Sequence, residues 1–281
     1  MLLWPDGDRD SEYSKKLINA KSVNDGNFWT ILREVLAYDF ETNDLDRCKI
    51  WASTATVPLL SNNNRFADIF YGCLNTLATE HAVHYHNAMT EPMVGCTLED
   101  FNRSFRVFSD RNYSMNRMQL LYHLLRCGWN FETLKGVNSI VEIGAGMGEL
   151  TDVVYKLGFQ GKYSIFDFPE LHNLQRHIHR KVGLNDVEYV SEFDKIPVAD
   201  LGIATFSFTE MPIEQREKII DVMTKTKNWI IAYSNTIFGF DNDAYIKDVF
   251  VKRFENHDIS FIDIPFMPWD GGSKYLVIKS K

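Results

Sequence analysis

The chain is poor in the features that mark redox, metal or membrane proteins. Only four cysteines occur in 281 residues, at positions 48, 73, 96 and 127. No two stand at the CxxC spacing of a zinc knuckle or a dithiol pair, so reduced, packed thiols are expected. Positive charge is also scarce. The 30 Lys and Arg against 38 Asp and Glu leave a formal charge of −8. Binding along phosphates needs a basic footprint, so no nucleic-acid partner is expected. No run approaches the ~18 apolar residues of a membrane span, and no membrane partner is expected either. The start, Met1-Leu2-Leu3-Trp4-Pro5, passes straight into an acidic stretch. It lacks the basic lead and long apolar core of a signal peptide, so a cytoplasmic location is expected. Internal repeats and low-complexity tracts are lacking too.

What is there suits one large domain or a domain with an appended cap. Hydrophobic residues make up 45% and charged residues 24%, which excludes a disordered or fibrous chain. Residues 1–110 read as a helical cap. Phe28, Ile31, Leu32 and Val35 follow the spacing of a core-facing helix, as do Phe66, Ile69, Phe70, Cys73 and Leu77. The run Ser61-Asn62-Asn63-Asn64 offers N-caps for the second of these. A further helix is expected after Ser114, with Met118, Leu121, Tyr122 and Leu125 as its stripe and Gly128 as its stop.

Residues 111–281 have a different texture. Short β-rich runs begin at Ser139, Lys162, Val187, Leu201, Trp229, Ser260 and Tyr275. Amphipathic segments separate most of them, and that alternation predicts a parallel α/β sheet. The third and fourth runs are joined too closely for a full crossover helix. The last two are joined through PFMPWDGGSK and read as an antiparallel hairpin.

The first β-run enters Gly144-Ala145-Gly146-Met147-Gly148, and an amphipathic segment leaves it at Glu149. In open α/β sheets ligands bind at that carboxyl edge, and glycines let a backbone approach a ligand closely. The spacing is GxGxG. The dinucleotide fingerprint would need glycine where Glu149 stands, and a Walker loop would need Gly-Lys-Ser/Thr. A carboxylate at the helix start disfavours pyrophosphate and suits a ligand without phosphates. Asp167 ends the second β-run, where an acid can accept both hydroxyls of a ribose.

Glu142, the GxGxG loop and Asp167 together resemble the class I S-adenosylmethionine-dependent methyltransferases, over most of the last ~170 residues. Three stretches narrow the resemblance to the sugar O-methyltransferases: Phe166-Asp167-Phe168-Pro169-Glu170-Leu171, Ser207-Phe208-Thr209-Glu210-Met211 and Tyr233-Ser234-Asn235-Thr236. The resemblance implies a Rossmann-like, mostly parallel seven-stranded sheet in the order 3-2-1-4-5-7-6, with S-adenosylmethionine as cofactor and S-adenosylhomocysteine as product. It implies that Gly144, Ala145, Gly146 and Gly148 pass the methionine part. Glu142 would reach the amino group through water. Asp167 would hold the ribose, and Phe168 would lie against the adenine. Glu192 or Phe193 would meet the adenine edge, and Ser207 would line the same site.

Methyl transfer to a neutral hydroxyl needs alignment and is helped by a base. Glu210 stands just past the fourth strand, before Pro212. It also fits a plain N-terminal helix acid favoured by the dipole. In Glu80-His81-Ala82-Val83-His84, His81 and His84 extend the face of Leu77 if the helix continues. They fit a base, a substrate contact or a structural cluster, and without HExxH no metal is expected. His172, His177 and His179 share a polar segment with Arg176 and Arg180 and read as a solvated face. The expected acceptor is a small molecule or glycan, with a sugar hydroxyl first. Tyr71, Tyr85, Trp51 and Trp269 are candidate ring contacts for it. A phenol or polyketide acceptor, a catalytically silent binding module and a homo-oligomer remain open.

Overall fold

The computed structural model describes residues 33, 69, 71–90, 113–237, 239–265 and 272–281. Most of the 1–110 cap lies outside the described residues. So do Phe28, Ile31, Leu32, Val35, Phe66 and Phe70, the cap run 61–64, Cys48, Cys96, Trp51 and Trp269.

Seven strands form one sheet: β1 (Ser139–Ile143), β2 (Lys162–Phe166), β3 (Val187–Val190), β4 (Leu201–Thr205) and β5 (Asn228–Ser234), then β8 (His257–Asp263) and β9 (Ser273–Ser280). A two-stranded ribbon, β6 (Thr236–Ile237) and β7 (Phe240–Asp241), stands apart from it. The sheet order is β3-β2-β1-β4-β5-β9-β8. The first five strands are parallel, and β9 runs antiparallel to both β5 and β8. This is the α/β architecture and strand order that the sequence implied, closed by the expected hairpin.

A sheet covered on both faces needs apolar side chains on both, and the strands supply them in alternation. Ile140, Ile230, Ala232, Tyr275 and Val277 join one buried cluster. Val141, Ile143, Trp229, Ile231, Tyr233, Leu276 and Ile278 join the other. Helices α1 (Ala82–Met89), α2 (Met115–Arg126), α3 (Phe131–Lys135) and α4 (Glu149–Lys156) feed the first cluster, and α6 (Ile213–Lys225) feeds the second. Helix α5 (Pro169–Lys181) links β2 to β3 and starts with proline at its first position, where the missing N–H is no loss. Only the 3-10 turn Phe193–Lys195 joins β3 to β4.

Several local expectations are corrected. The fourth β-rich run reads on to Phe208 in the sequence, but strand β4 stops at Thr205, because Phe206 takes a left-handed φ of 63° and a 3-10 turn, Phe208–Glu210, follows. Ser114 occupies the N-cap of α2 without a side-chain capping bond. Asn130 instead caps α3 through a reciprocal bond with Thr133, a short helix that periodicity missed. The segment through Ile246 and Phe254 is a short helix α7 (Asn242–Tyr245) that passes into a π turn, Ile246–Phe250. Cys73 and Cys127 are free and buried, and burial pushes both thiols up to about 12. Among the described residues no helix is long and apolar enough to cross a membrane.

Candidate functional site

The glycine loop turns the chain from β1 into α4 at the carboxyl edge of the sheet. Gly144, Gly146 and Gly148 all have positive φ, at 72°, 56° and 78°, a region that L-residues enter only at a steric cost. Gly144 also sits against the end of β4, where Ser207 Oγ donates to the Ile143 carbonyl. A Cβ on Gly144 would overlap the Ser207 Cβ, whereas one on Gly146 would meet nothing within 4 Å. The first glycine is therefore required by packing, and the second leaves an open cradle.

Asp167 follows β2 and faces that cradle. Its Oδ1 accepts the Phe168 N–H at 2.8 Å. Its Oδ2 accepts the Gly146 N–H at 3.1 Å and Gln175 Nε2 at 3.0 Å. The Ala145 N–H also addresses this carboxylate, and Asp167 lines the cleft. Burial pushes Asp167 up to about 6, against the opposing pull of these hydrogen bonds.

A cleft of about 340 Å³ opens between these groups. Gly144, Gly146, Asp167 and Ser207 form one end, and Phe166, Phe168, Leu171 and Phe193 supply apolar wall. The Phe166 and Phe193 rings lie 5.0 Å apart. Arg33 reaches the mouth from the N-terminal region. It donates to Glu170 through Nε at 3.2 Å and Nη2 at 3.0 Å, with its guanidinium carbon 5.3 Å from the Phe168 ring centre. The contact spans 137 positions, and no local pattern announces it.

Glu210 lines the same cleft, beside Met211 and Gln215. Desolvation pushes its carboxyl up to about 7. Its backbone is held by Arg216, which is only 3% exposed. That guanidinium donates to the carbonyls on either side of Glu210, those of Thr209 and Met211, and to Asn242 Oδ1 at 3.0 Å. It stands 5.1–5.7 Å from the ring centres of Phe208, Phe240 and Tyr245. Asn242 in turn donates to the Ser234 carbonyl at 3.2 Å, which ties the β4 turn to the end of β5.

The structure thus gathers Gly144, Gly146, Asp167, Phe168, Phe193, Ser207 and Glu210 around one cleft. Other expected site residues stand elsewhere. Glu142 lies beneath the loop at 1% exposure. It accepts the Tyr163 hydroxyl at 2.8 Å, and burial pushes it up to about 8. Ala145 packs toward the core under the loop, and Gly148 is the N-cap of α4. Glu192 points outward and pairs with Lys195 at 2.7 Å, so of the two candidates after β3 it is Phe193 that enters the cleft.

His81 and His84 are not brought to the loop. The helix expected to carry them breaks after Ala78, and His81 becomes the N-cap of α1. His81 stacks on Phe131 at 4.0 Å and pairs with Glu132. His84 Nδ1 meets the Lys156 carbonyl at 3.1 Å, at the far end of α4 from the glycines. Glu80, His81 and Glu132 are the described group with metal-ligand spacing, and Glu80 is 85% exposed there. Tyr85 is buried and accepts the Phe131 N–H at 3.2 Å, while Tyr71 is exposed.

The solvated face expected for α5 is the clearest correction. Of the residues read that way, His172 and His179 are buried, as is Gln175 between them, whereas His177 is half-buried and Arg180 exposed. His172 Nδ1 faces Ser191 Oγ at 3.2 Å, and His179 Nε2 meets the Gly148 carbonyl at 2.8 Å.

Glu149 begins α4 at 4% exposure and accepts from Asn116 Nδ2. A buried carboxylate there opposes a phosphate at this helix start, where the dipole would otherwise attract one.

No family model matches the chain, and no curated protein does. Among solved structures, the mitomycin 7-O-methyltransferase MmcR is 14% identical, with 85% of this chain and 74% of that one covered and a TM-score of 0.45. The O-methyltransferase segment of StiE is 13% identical over 64% of this chain and 80% of that one, with a TM-score of 0.48. A SAM-dependent methyltransferase from Aquifex aeolicus is 18% identical over 57% and 88%, with a TM-score of 0.43. None of these scores reaches 0.5, and the likeness carries no activity across.

Proposed function

We propose that the protein is an S-adenosylmethionine-dependent O-methyltransferase whose acceptor is a sugar hydroxyl. The observation that carries the reading is the shared cleft. An open glycine cradle, a strand-end acid and a second acid of raised pKa face one cavity at the carboxyl edge of the sheet. The residues suit the cofactor. Gly146 leaves room for a chain passing over the loop, and the Asp167 carboxylate lines the cleft as an acceptor for a ribose hydroxyl. The apolar wall with Phe168 and Phe193 suits a flat base. Glu149 disfavours the dinucleotide alternative on charge.

When bound, the cofactor supplies a methyl group on a positively charged sulfur. Glu210 takes up the proton that the acceptor hydroxyl releases, at its cleft-facing carboxylate. Its raised pKa suits this, because a base works best when its pKa lies near the operating pH. Arg216 holds the turn that presents it.

The sugar acceptor rests on the three stretches that resemble sugar O-methyltransferases. All three meet at this edge: the first lines the cleft, the second forms the Glu210 turn and the third ends β5. The test is a methyl-donor screen against matched panels of sugars, phenols, peptides and RNA. Turnover on sugars is expected. Turnover confined to phenols or RNA would refute the sugar assignment alone, and cofactor binding without turnover on any panel would favour a silent binding module.

Asp167 gives the cofactor reading a pH signature. Ribose hydroxyls donate to the ionised carboxylate, so the ionised form binds. Full affinity for S-adenosylhomocysteine is expected above pH 6, with loss as pH falls through about 6. In Asp167→Asn this dependence should vanish. Calorimetry between pH 5 and 8 on both proteins checks it, and an identical slope in the variant would remove Asp167 from the site.

A further inference from the structure

Gln175 sits mid-way along α5 with no exposed surface. Its Nε2 donates to the Gly146 carbonyl at 2.8 Å and to Asp167 Oδ2 at 3.0 Å. The Gly146 N–H donates to the same oxygen at 3.1 Å. One amide therefore closes a ring through both polar groups of residue 146 and the acid after β2. Its Oε1 has no hydrogen-bond partner among the described residues.

Burying a polar group that is left half-satisfied costs free energy. An apolar side chain of the same length would fill the space without that cost, so packing alone does not account for a glutamine here. Its position within α5 does. His172, Gln175 and His179 fall on one helix face, and each contacts a different part of the carboxyl edge: Ser191 after β3, Gly146 with Asp167, and Gly148. Of the three, only Gln175 touches two groups that face the cleft.

We infer that Gln175 is a positioning residue for the cofactor: it locks the Asp167 carboxylate to the Gly146 peptide, so that acid and cradle meet the ligand in one prepared geometry. The inference rests on the cofactor reading above. Affinity gained this way comes from ordering already in place before the ligand arrives. Gln175 lies behind the cleft wall rather than in it. Its effect therefore falls on cofactor binding and not on proton transfer at Glu210.

The test uses Gln175→Met, of similar length without the donor, and Gln175→Glu, of the same shape with a negative charge beside Asp167. S-adenosylhomocysteine affinity is measured by calorimetry, and KM for the cofactor and kcat by turnover. Losing one hydrogen bond to a charged acceptor predicts an affinity loss of about tenfold for Gln175→Met. KM should rise in step while kcat moves much less, and Gln175→Glu should lose more than Gln175→Met. The decisive comparison is made in an Asp167→Ala background, which removes the carboxylate acceptor of the Gln175 amide. If Gln175 acts through Asp167, Gln175→Met adds little there, whereas a merely structural residue adds its full penalty.

A pH profile adds a second readout. Without the Gln175 donor the ionised Asp167 is less favoured, so affinity should begin to fall at a higher pH than in wild type. Asp167 is also faced by Glu142 from β1, and the charged groups Glu210 and Arg33 line the same cleft. None of these is altered in the variants. Unchanged affinity in Gln175→Met, a full penalty in the Asp167→Ala background, or loss of fold in both Gln175 variants would each overturn the inference. Wild type failing to bind S-adenosylhomocysteine would instead overturn the cofactor reading.

Discussion

Gly146→Val should leave the fold standing and abolish binding of S-adenosylhomocysteine. A Cβ at this position meets nothing within 4 Å, so the core has no clash to absorb. The cost to stability is conformational, from a β-branched residue held at φ 56°, and amounts to roughly 1–3 kcal/mol for one strained residue. The loss in binding is steric, because the added isopropyl group occupies the cradle that opens on the cleft. Gly144→Ala should behave in the opposite sense. Its Cβ overlaps Ser207, whose hydroxyl ties the end of β4 to the end of β1. Something must shift where two central strands meet, so the melting temperature should drop more for this smaller substitution than for the valine. Thermal melts and calorimetry on both variants check the contrast. Wild-type affinity in Gly146→Val would show that the loop does not carry the ligand.

The parts of this site that were legible in the sequence are those written within a single turn of chain. The loop Gly144–Gly148, Asp167 at the end of a β-run and Glu210 before Pro212 each combine a strand ending with a chemical group. All three reach the carboxyl edge because parallel strands share one direction. The sheet order followed from the family resemblance carried by those same residues. Less legible were the groups whose partners lie far along the chain. His172 and His179 read as solvated because their helix is rich in charge, yet their face is covered by loops from β1 and β3. Arg33 meets Glu170 across 137 positions. The choice between Glu192 and Phe193 depended on which way one residue points after β3, and a strand end does not fix that parity. For His81 and His84, of the base, substrate-contact and structural readings, the packed cluster on Phe131 is the one seen, because Thr79, in extended backbone, ends the helix that would have carried them on.

Glu210→Gln should bind S-adenosylhomocysteine as wild type does and lose turnover by about 10²–10⁴-fold, the range general-base catalysis supplies. The substitution keeps the shape and the desolvated setting but removes the ability to take a proton. The wild-type rate should rise with pH through about 7, since desolvation holds the acid protonated below that value. The variant's residual rate should lack that limb. Arg216 sharpens the test. It grips the Thr209 and Met211 carbonyls with no carboxylate on its own guanidinium among the described contacts. Arg216→Lys cannot span both carbonyls with one point charge, so turnover should fall while cofactor affinity holds. Loss of affinity in step with turnover would mean that the β4 turn supports the cofactor instead. A pH–rate profile of Glu210→Gln that keeps the wild-type limb would move the base to another group in the cleft.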